Sequence, residues 1–301
     1  MKWDRTPLAP IPGRGSPDDQ APPAWESLRQ MAWHIPRLLS GLGPLGPRGP
    51  EDGPPALVIP GFLATDRTTM DLRRALARAG WRSHPWLLGM NGGAKADTMD
   101  NLIGRLDAIY SEAKQPVLLV GWSLGGMYAR ELACRVPHQV RAVVTLGSPF
   151  SGDLKTNTNV REFYERVAGH DVNQPPFEAP RLKPPVPTLA LWSRKDGIVA
   201  PAAARGRAGE VDKSVEIDTH HMGFAVYRPA SGTWFVLLAG GGSQTVNWGV
   251  QALGDAPVPA DYNGDGRADV AVYRASSGQW FVRNVTTINW GSPAAGDIPA
   301  R

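Results

Sequence analysis

A serine in a tight, glycine-rich turn is the best candidate for nucleophilic chemistry. Gly121-Trp-Ser-Leu-Gly125 follows the apolar run 116–120 and opens a stretch of helical periodicity. So sharp a strand-to-helix turn requires the glycines and exposes the serine hydroxyl at the carboxyl end of the strand. The helix N-terminus supplies N–H groups and positive potential where an oxyanion would form. We therefore predict that Ser123 is a nucleophile; the alternative is a purely structural turn.

A serine nucleophile needs a histidine base, which in this arrangement follows both the serine and the acid along the chain. His138 comes directly after the nucleophile helix, which leaves His170, His220 and His221. His170 lies in an irregular segment, whereas the other two follow a predicted strand. We favour His221 as the base, with His220 as the alternative.

The acid partner of the base should lie in a loop directly after a strand. Asp196 meets this condition, because it follows the apolar run 188–192. Its carboxylate would accept the imidazole N–H, fix the tautomer and stabilise the imidazolium. Asp153 and Asp171 are rivals without a strand-end position, and a plain turn before Gly197 is the alternative for Asp196.

Two backbone N–H groups are predicted to form the oxyanion hole. One belongs to Leu124, directly after the serine, and the other to Phe62 in the loop that follows an early strand. The acyl pocket is expected to use Phe62, Leu63, Trp122 and Phe150, together with residues of the segment 153–187.

The elements that must position these residues alternate between strands and helices. Strands are predicted at 56–60, 81–88, 116–120, 140–146, 188–192 and 214–217, and helices at 68–79, 98–114, 124–136 and 159–168. Near-continuous apolar strands alternating with amphipathic helices indicate a parallel, doubly wound α/β sheet. The catalytic domain is predicted to span 55–224, with a cap or lid insertion at 153–187. A Pro- and Gly-rich N-terminal arm, 1–54, contains a short predicted helix at 25–39.

After residue 224 the composition changes and an internal repeat appears. Residues 225–236 recur at 271–282 with nine of twelve positions identical, and the spacing between equivalent positions is 42 to 46 residues. Such a period fits a β-blade or β-ribbon unit. We therefore predict a small all-β appendage of incomplete repeats over 225–301, whose exposed strands could support oligomer formation.

The second repeat unit contains a candidate metal loop. Asp261, Asn263, Asp265 and Asp269 have the spacing of a calcium loop, with the carbonyl of Arg267 as a further ligand. Alternate oxygen ligands suit a hard cation. Any calcium here would be structural, and an empty Asx-rich turn is the alternative.

Composition excludes several other classes of function. The net charge is +4 without a block of Lys or Arg, which favours a solvated surface over a nucleic-acid footprint. The single cysteine, Cys134, excludes an intrachain disulfide and is expected to be a small buried residue on a helix. We predict neither a signal peptide nor a transmembrane segment. These features favour the cytoplasm, although the repeats favour export.

Residues 55–223 resemble bacterial α/β-hydrolases of the esterase and lipase group. The resemblance rests on five motifs: Pro60-Gly-Phe-Leu, Gly121-Trp-Ser-Leu-Gly-Gly, Thr145-Leu-Gly-Ser-Pro, Ser193-Arg-Lys-Asp-Gly-Ile-Val and His221-Met-Gly. It implies ester hydrolysis through an acyl-serine intermediate, without a cofactor. Pro60 is a departure, since many relatives carry histidine there. A second departure is that the repeats, which resemble the FG-GAP/VCBS type, replace the usual last helix.

The sequence thus predicts a carboxylic-ester hydrolase acting on short- to medium-chain acyl esters, lipids or polyesters. Thioester, amide or acyl-transfer chemistry at the same serine is an alternative. A calcium-dependent binding or adhesion module formed by the repeats is another.

Overall fold

A computed structural model describes the greater part of the chain. The described residues are 19–26, 45–177, 183–217, 221, 224–228, 233–237, 243–258, 262 and 269–289. The predicted N-terminal helix at 25–39 lies almost wholly outside them.

Six parallel strands form the main sheet in the order β2-β1-β3-β4-β5-β6. They are β1 (Pro55–Ile59), β2 (Arg82–Pro85), β3 (Val117–Trp122), β4 (Val140–Leu146), β5 (Thr188–Trp192) and β6 (Lys213–Glu216). The helices within this part of the chain are α1 (Met70–Arg78), α2 (Thr98–Ala113), α3 (Leu124–Arg135), α4 (Arg161–Ala168) and α5 (Pro201–Arg205). The predicted α/β class with a parallel sheet is confirmed.

The central strands are apolar throughout because both faces of the sheet are covered. Leu57 and Ile59 of β1 pack in one cluster with α2 and α3, whereas Ala56 and Val58 pack in another with α1. Successive side chains of a strand point to opposite faces, so each face receives alternate residues. This sandwich holds β3, and therefore the turn after it, in the middle of the domain.

Strand β2 ends earlier than the predicted 81–88. The backbone N–H groups of Trp86 and Leu87 donate to the carboxylate of Asp66, at 2.9 and 3.0 Å, and not to a neighbouring strand. Leu87 also has a φ of +62°, which is incompatible with an extended strand. A side-chain acceptor from a distant loop thus ends the strand, and the local sequence pattern does not reveal it.

Burial of His84 in β2 makes the free energy of unfolding depend on pH. His84 is 2% exposed, and burial together with nearby Arg105 and Arg82 lowers its pKa to about 4. The folded state disfavours protonation of His84. The contribution of the neutral imidazole to the free energy of unfolding is therefore complete only at pH values above the unfolded pKa of about 6.5. As the pH falls from 6.5 to 4, the free energy of unfolding decreases by up to about 3 kcal/mol.

We therefore expect His84→Leu to weaken the loss of stability in acid. Urea unfolding at several pH values measures the effect, and His138→Leu is the control because His138 is exposed. Equal acid sensitivity in the wild type and His84→Leu would contradict the assignment.

The C-terminal part contains two small antiparallel sheets. One has strands β7 (Phe224–Arg228), β8 (Thr233–Leu237) and β9 (Ser243–Asn247); the other has β10 (Asp255–Pro257), β11 (Ala271–Arg274), β12 (Gln279–Val282) and β13 (Thr286–Asn289). The two sequence repeats form equivalent hairpins. Ala225 pairs with Val236 in the first, and Ala271 pairs with Val282 in the second.

The two repeat units also contact each other. The indole N–H of Trp234 donates to the carbonyl of Trp248 at 2.9 Å, and that of Trp248 donates to the carbonyl of Phe281 at 3.0 Å. Trp234 and Val272 belong to one hydrophobic cluster. The repeats therefore bury apolar surface against each other, as stacked β units do.

Two sequence expectations concern smaller features. Cys134 lies on α3 as a partly buried free thiol, and burial raises its pKa to about 11. Among the helices within the described ranges, none is long and apolar enough to cross a membrane.

Candidate active site

Ser123 occupies a strained turn between β3 and α3. Its φ and ψ are +52° and −121°, a conformation that a non-glycine residue keeps only when its surroundings impose it. The N–H of Ser123 donates to the carbonyl of Leu146 at 2.8 Å. A Cβ at Gly121 would overlap the backbone of Gly125, and one at Gly125 would overlap the carbonyl oxygen of Ile59. The glycines are therefore required by packing.

Asp196 and His221 form a buried pair. Nδ1 of His221 lies 2.6 Å from Oδ2 of Asp196, and the two residues are 3% and 4% exposed. The other carboxylate oxygen, Oδ1, accepts the N–H groups of Ile198 at 2.9 Å and Val199 at 2.8 Å. These bonds fix the carboxylate, so the imidazole orientation is fixed as well. Because Nδ1 faces the carboxylate, a proton transfer by this imidazole would have to use Nε2.

The corner after β4 brings this pair beside the serine. Leu146 accepts the N–H of Ser123, while a Cβ on the next residue, Gly147, would lie 2.9 Å from Oδ2 of Asp196 and 3.0 Å from Nδ1 of His221. Trp122, which precedes the serine, donates its indole N–H to the carbonyl of His221 at 3.0 Å. The serine turn and the Asp196–His221 pair therefore both adjoin the corner that follows β4.

The two predicted oxyanion donors lie next to Ser123. A Cβ on Gly61 would be 3.0 Å from Cβ of Ser123, so the loop of Phe62 abuts the serine. Within the described part of the chain, the N–H of Phe62 donates no hydrogen bond, whereas those of Leu63 and Ala64 do. The N–H of Leu124 belongs to the first residue of α3, where no preceding turn supplies an acceptor.

A cavity of about 150 Å³ opens beside Ser123. Its wall includes Phe62 and Phe150 from the predicted pocket, and the insertion contributes Leu154, Val160 and Tyr164. Trp122, which was also predicted to line the pocket, packs instead against the His221 ring, with 5.8 Å between ring centroids. Leu63 is likewise not among the wall residues.

Met127 and Tyr128 also line the cavity and were not predicted from the sequence. Both follow Ser123 by about one helical turn, so the spacing could have placed them on the face of α3 near the nucleophile. Tyr164 lies on α4, and the helix predicted at 159–168 does not by itself indicate which of its faces meets the cavity. Burial raises the pKa of both tyrosines, which keeps their hydroxyls neutral.

The rival bases and acids lie elsewhere. His170 contacts the Tyr164 hydroxyl and the backbone oxygen of Asp171. Asp171 pairs with Lys155 at 2.8 Å, and Asp153 is exposed. His220 lies outside the described residues.

Most of the candidate calcium loop also lies outside them: Asp261, Asn263, Asp265 and Arg267. Asp269 is described, and its Oδ2 accepts the N–H of Tyr262 at 3.0 Å. No cluster of potential metal ligands occurs among the residues that are described. The calcium site therefore stays a prediction.

Known proteins are similar to this chain in sequence and fold. Residues 113–175 match the family profile of the α/β hydrolase fold. A pimeloyl-[acyl-carrier protein] methyl ester esterase from Shewanella woodyi is 44% identical over 43 residues, or 14% of this chain and 17% of that protein. The chain thus matches less than a fifth of the length of this relative.

Solved structures are similar at low identity. The carboxylesterase CesB from Bacillus subtilis is 16% identical, with 66% of this chain and 92% of that chain covered and a TM-score of 0.41. An epoxide hydrolase from metagenomes of hot environments is also 16% identical, with 58% and 87% covered and a TM-score of 0.41. The profile match spans the Ser123 turn and α3. With the parallel sheet, it shows that the chain has the α/β-hydrolase fold.

Proposed function

We propose that this protein is a carboxylic-ester hydrolase that acts through an acyl-serine intermediate, with Ser123, His221 and Asp196 as a catalytic triad. The observation that carries the proposal is the buried Asp196–His221 pair, held beside a strained serine at an apolar cavity. A nucleophile, a base and a group that orients the base are the three parts that acyl transfer requires.

The geometry supports a defined sequence of proton transfers. Oγ of Ser123 attacks the acyl carbon and passes its proton to Nε2 of His221, while Asp196 stabilises the imidazolium. The N–H groups of Phe62 and Leu124 bind the oxyanion of the tetrahedral intermediate. As that intermediate collapses, the ester C–O bond breaks and His221 protonates the leaving alcohol. Water, deprotonated by His221, then releases the acid and regenerates the serine.

The cavity favours small acyl groups. A volume near 150 Å³ is of the size that can hold a benzene ring in an apolar protein cavity. Most of the wall residues are aromatic or aliphatic, which suits a hydrocarbon chain, although Arg130, Glu131 and Arg161 also line the cavity. We therefore propose short- to medium-chain esters as substrates.

Hydrolysis of p-nitrophenyl esters from acetate to palmitate tests this function. We expect the highest kcat/KM among the short acyl chains, with little turnover of palmitate. Absence of turnover across the whole series would refute ester hydrolysis and favour thioester or amide substrates for the same serine.

Enlarging the cavity should shift this preference. Leu154 is buried on the cavity wall, and Leu154→Ala removes three carbon atoms from it. We expect the optimal acyl chain to lengthen by about two carbons, because the longer substrate fills the new space. The same ester series measures the shift. Val167→Ala is the matched control, since Val167 is exposed on α4; an unchanged optimum in Leu154→Ala would show that the acyl chain binds elsewhere.

A further inference from the structure

Asn91 makes three hydrogen bonds to the loop that carries the Phe62 N–H. Its side-chain Nδ2 donates to the carbonyl of Pro60 at 2.8 Å. Its backbone oxygen accepts the N–H of Leu63 at 2.7 Å, and its backbone N–H donates to the carbonyl oxygen of Ala64 at 2.9 Å. Asn91 is 2% exposed. Phe62 therefore lies between the points at which Asn91 holds this loop.

The conformation of the loop needs such support. Leu63 has a φ of +56°, in the left-handed region that leucine seldom adopts. A conformation of this kind persists only when the contacts around it fix it. The preceding Gly61 is so close to Ser123 that the loop position sets the distance between the Phe62 N–H and the reacting carbon. A small loop displacement would therefore move an oxyanion donor out of place.

The orientation of the Asn91 amide is fixed at both ends. Its nitrogen faces a carbonyl oxygen, and its oxygen Oδ1 accepts the N–H of Gly93 at 3.3 Å. A carboxylate has the same shape as the amide but cannot donate a hydrogen bond. At this position it would face the lone pairs of the Pro60 carbonyl in a buried site. The chemistry of the contact therefore requires an amide.

We propose that Asn91 is a positioning residue that holds the Phe62 N–H where the oxyanion develops in the transition state. This inference rests on the proposed ester hydrolysis. It assigns to Asn91 an effect on the chemical step, which a residue needed only for stability would not have.

The test is the kinetics of Asn91→Asp, with Asn101→Asp as the matched control because Asn101 is exposed on α2. Rates on p-nitrophenyl butyrate are divided by the amount of Ser123 that a fluorophosphonate labels at completion, so that misfolded protein is not counted. We expect kcat to fall about 10-fold to 100-fold while KM changes less than about threefold, since the lost interaction acts mainly in the transition state.

A second readout reports the oxyanion itself. A trifluoromethyl ketone analogue of the butyrate ester forms a tetrahedral alkoxide on the serine, so its inhibition constant should rise in parallel with the loss of kcat/KM. Asn91→Ser, which adds no charge, gives the same comparison if Asn91→Asp does not fold.

Two results would overturn the inference: an unchanged kcat per labelled serine in a folded Asn91 variant, or a lower kcat with unchanged ketone affinity. A wild-type protein that neither hydrolyses esters nor labels at Ser123 would instead refute the proposed function, and the inference with it. The two failures are distinguishable because one appears in the variants and the other in the wild type.

Discussion

Replacing Ser123 with alanine should lower kcat/KM for p-nitrophenyl butyrate by about 10⁵-fold, because the proposed acyl intermediate forms on the hydroxyl that is removed. The two oxyanion N–H groups and the cavity remain, so a small residual rate is expected. Thermal unfolding should change little, since the side chain lost is small and the turn keeps its glycines.

Ser111→Ala is the matched control for this prediction. Ser111 is exposed on α2, outside the turn and the cavity wall, and its replacement should leave turnover unchanged. If Ser123→Ala retained more than a few per cent of the wild-type rate while folded, the hydrolysis would have to occur through another group.

The second large effect is expected for Asp196→Asn. Oδ2 of Asp196 lies 2.6 Å from Nδ1 of His221, a contact that favours the tautomer protonated at Nδ1, in which Nε2 can take the serine proton. An asparagine in the same place can turn its NH₂ toward Nδ1, which favours the wrong tautomer of the imidazole. We expect kcat at neutral pH to fall about 10⁴-fold with a much smaller change in KM.

Asp153→Asn provides the comparison for Asp196→Asn. Both are acidic residues of the same part of the chain, and Asp153 was a rival candidate, but it is exposed and receives the N–H of Lys155 instead of a histidine. Asp153→Asn should therefore keep wild-type kinetics. If it were the variant that lost activity, the acid would be wrongly assigned.

The sheet and the turn at Ser123 could be predicted because they depend on local patterns. A strand buried on both faces requires an uninterrupted apolar run, as in Val117–Trp122, and the sharp turn requires glycine beside the serine. Asp196 could be proposed as the acid because it follows a strand, and the structure places its carboxylate on a histidine. The choice between His220 and His221 had no such basis in the sequence, and the structure places His221 on the carboxylate.

The cavity could not be predicted because its wall comes from separate segments of the chain. Phe62 follows β1, Met127 lies on α3, and Tyr164 lies on α4, so no local pattern in the sequence shows that the three side chains face one cavity. The role inferred for Asn91 was equally hidden, because it depends on the positive φ of Leu63 and on hydrogen bonds across about thirty residues. Such contacts are properties of the assembled fold.

Trapping the acyl-serine intermediate would show whether Ser123 is the nucleophile. Wild-type protein is quenched in acid during turnover of p-nitrophenyl butyrate, digested and mapped by mass spectrometry, with Ser123→Ala treated in parallel. We expect one butyryl group on the peptide that contains Ser123 and none on the variant. A butyryl group on another residue, or rapid turnover with an unmodified Ser123 in the quenched sample, would contradict the acyl-serine mechanism.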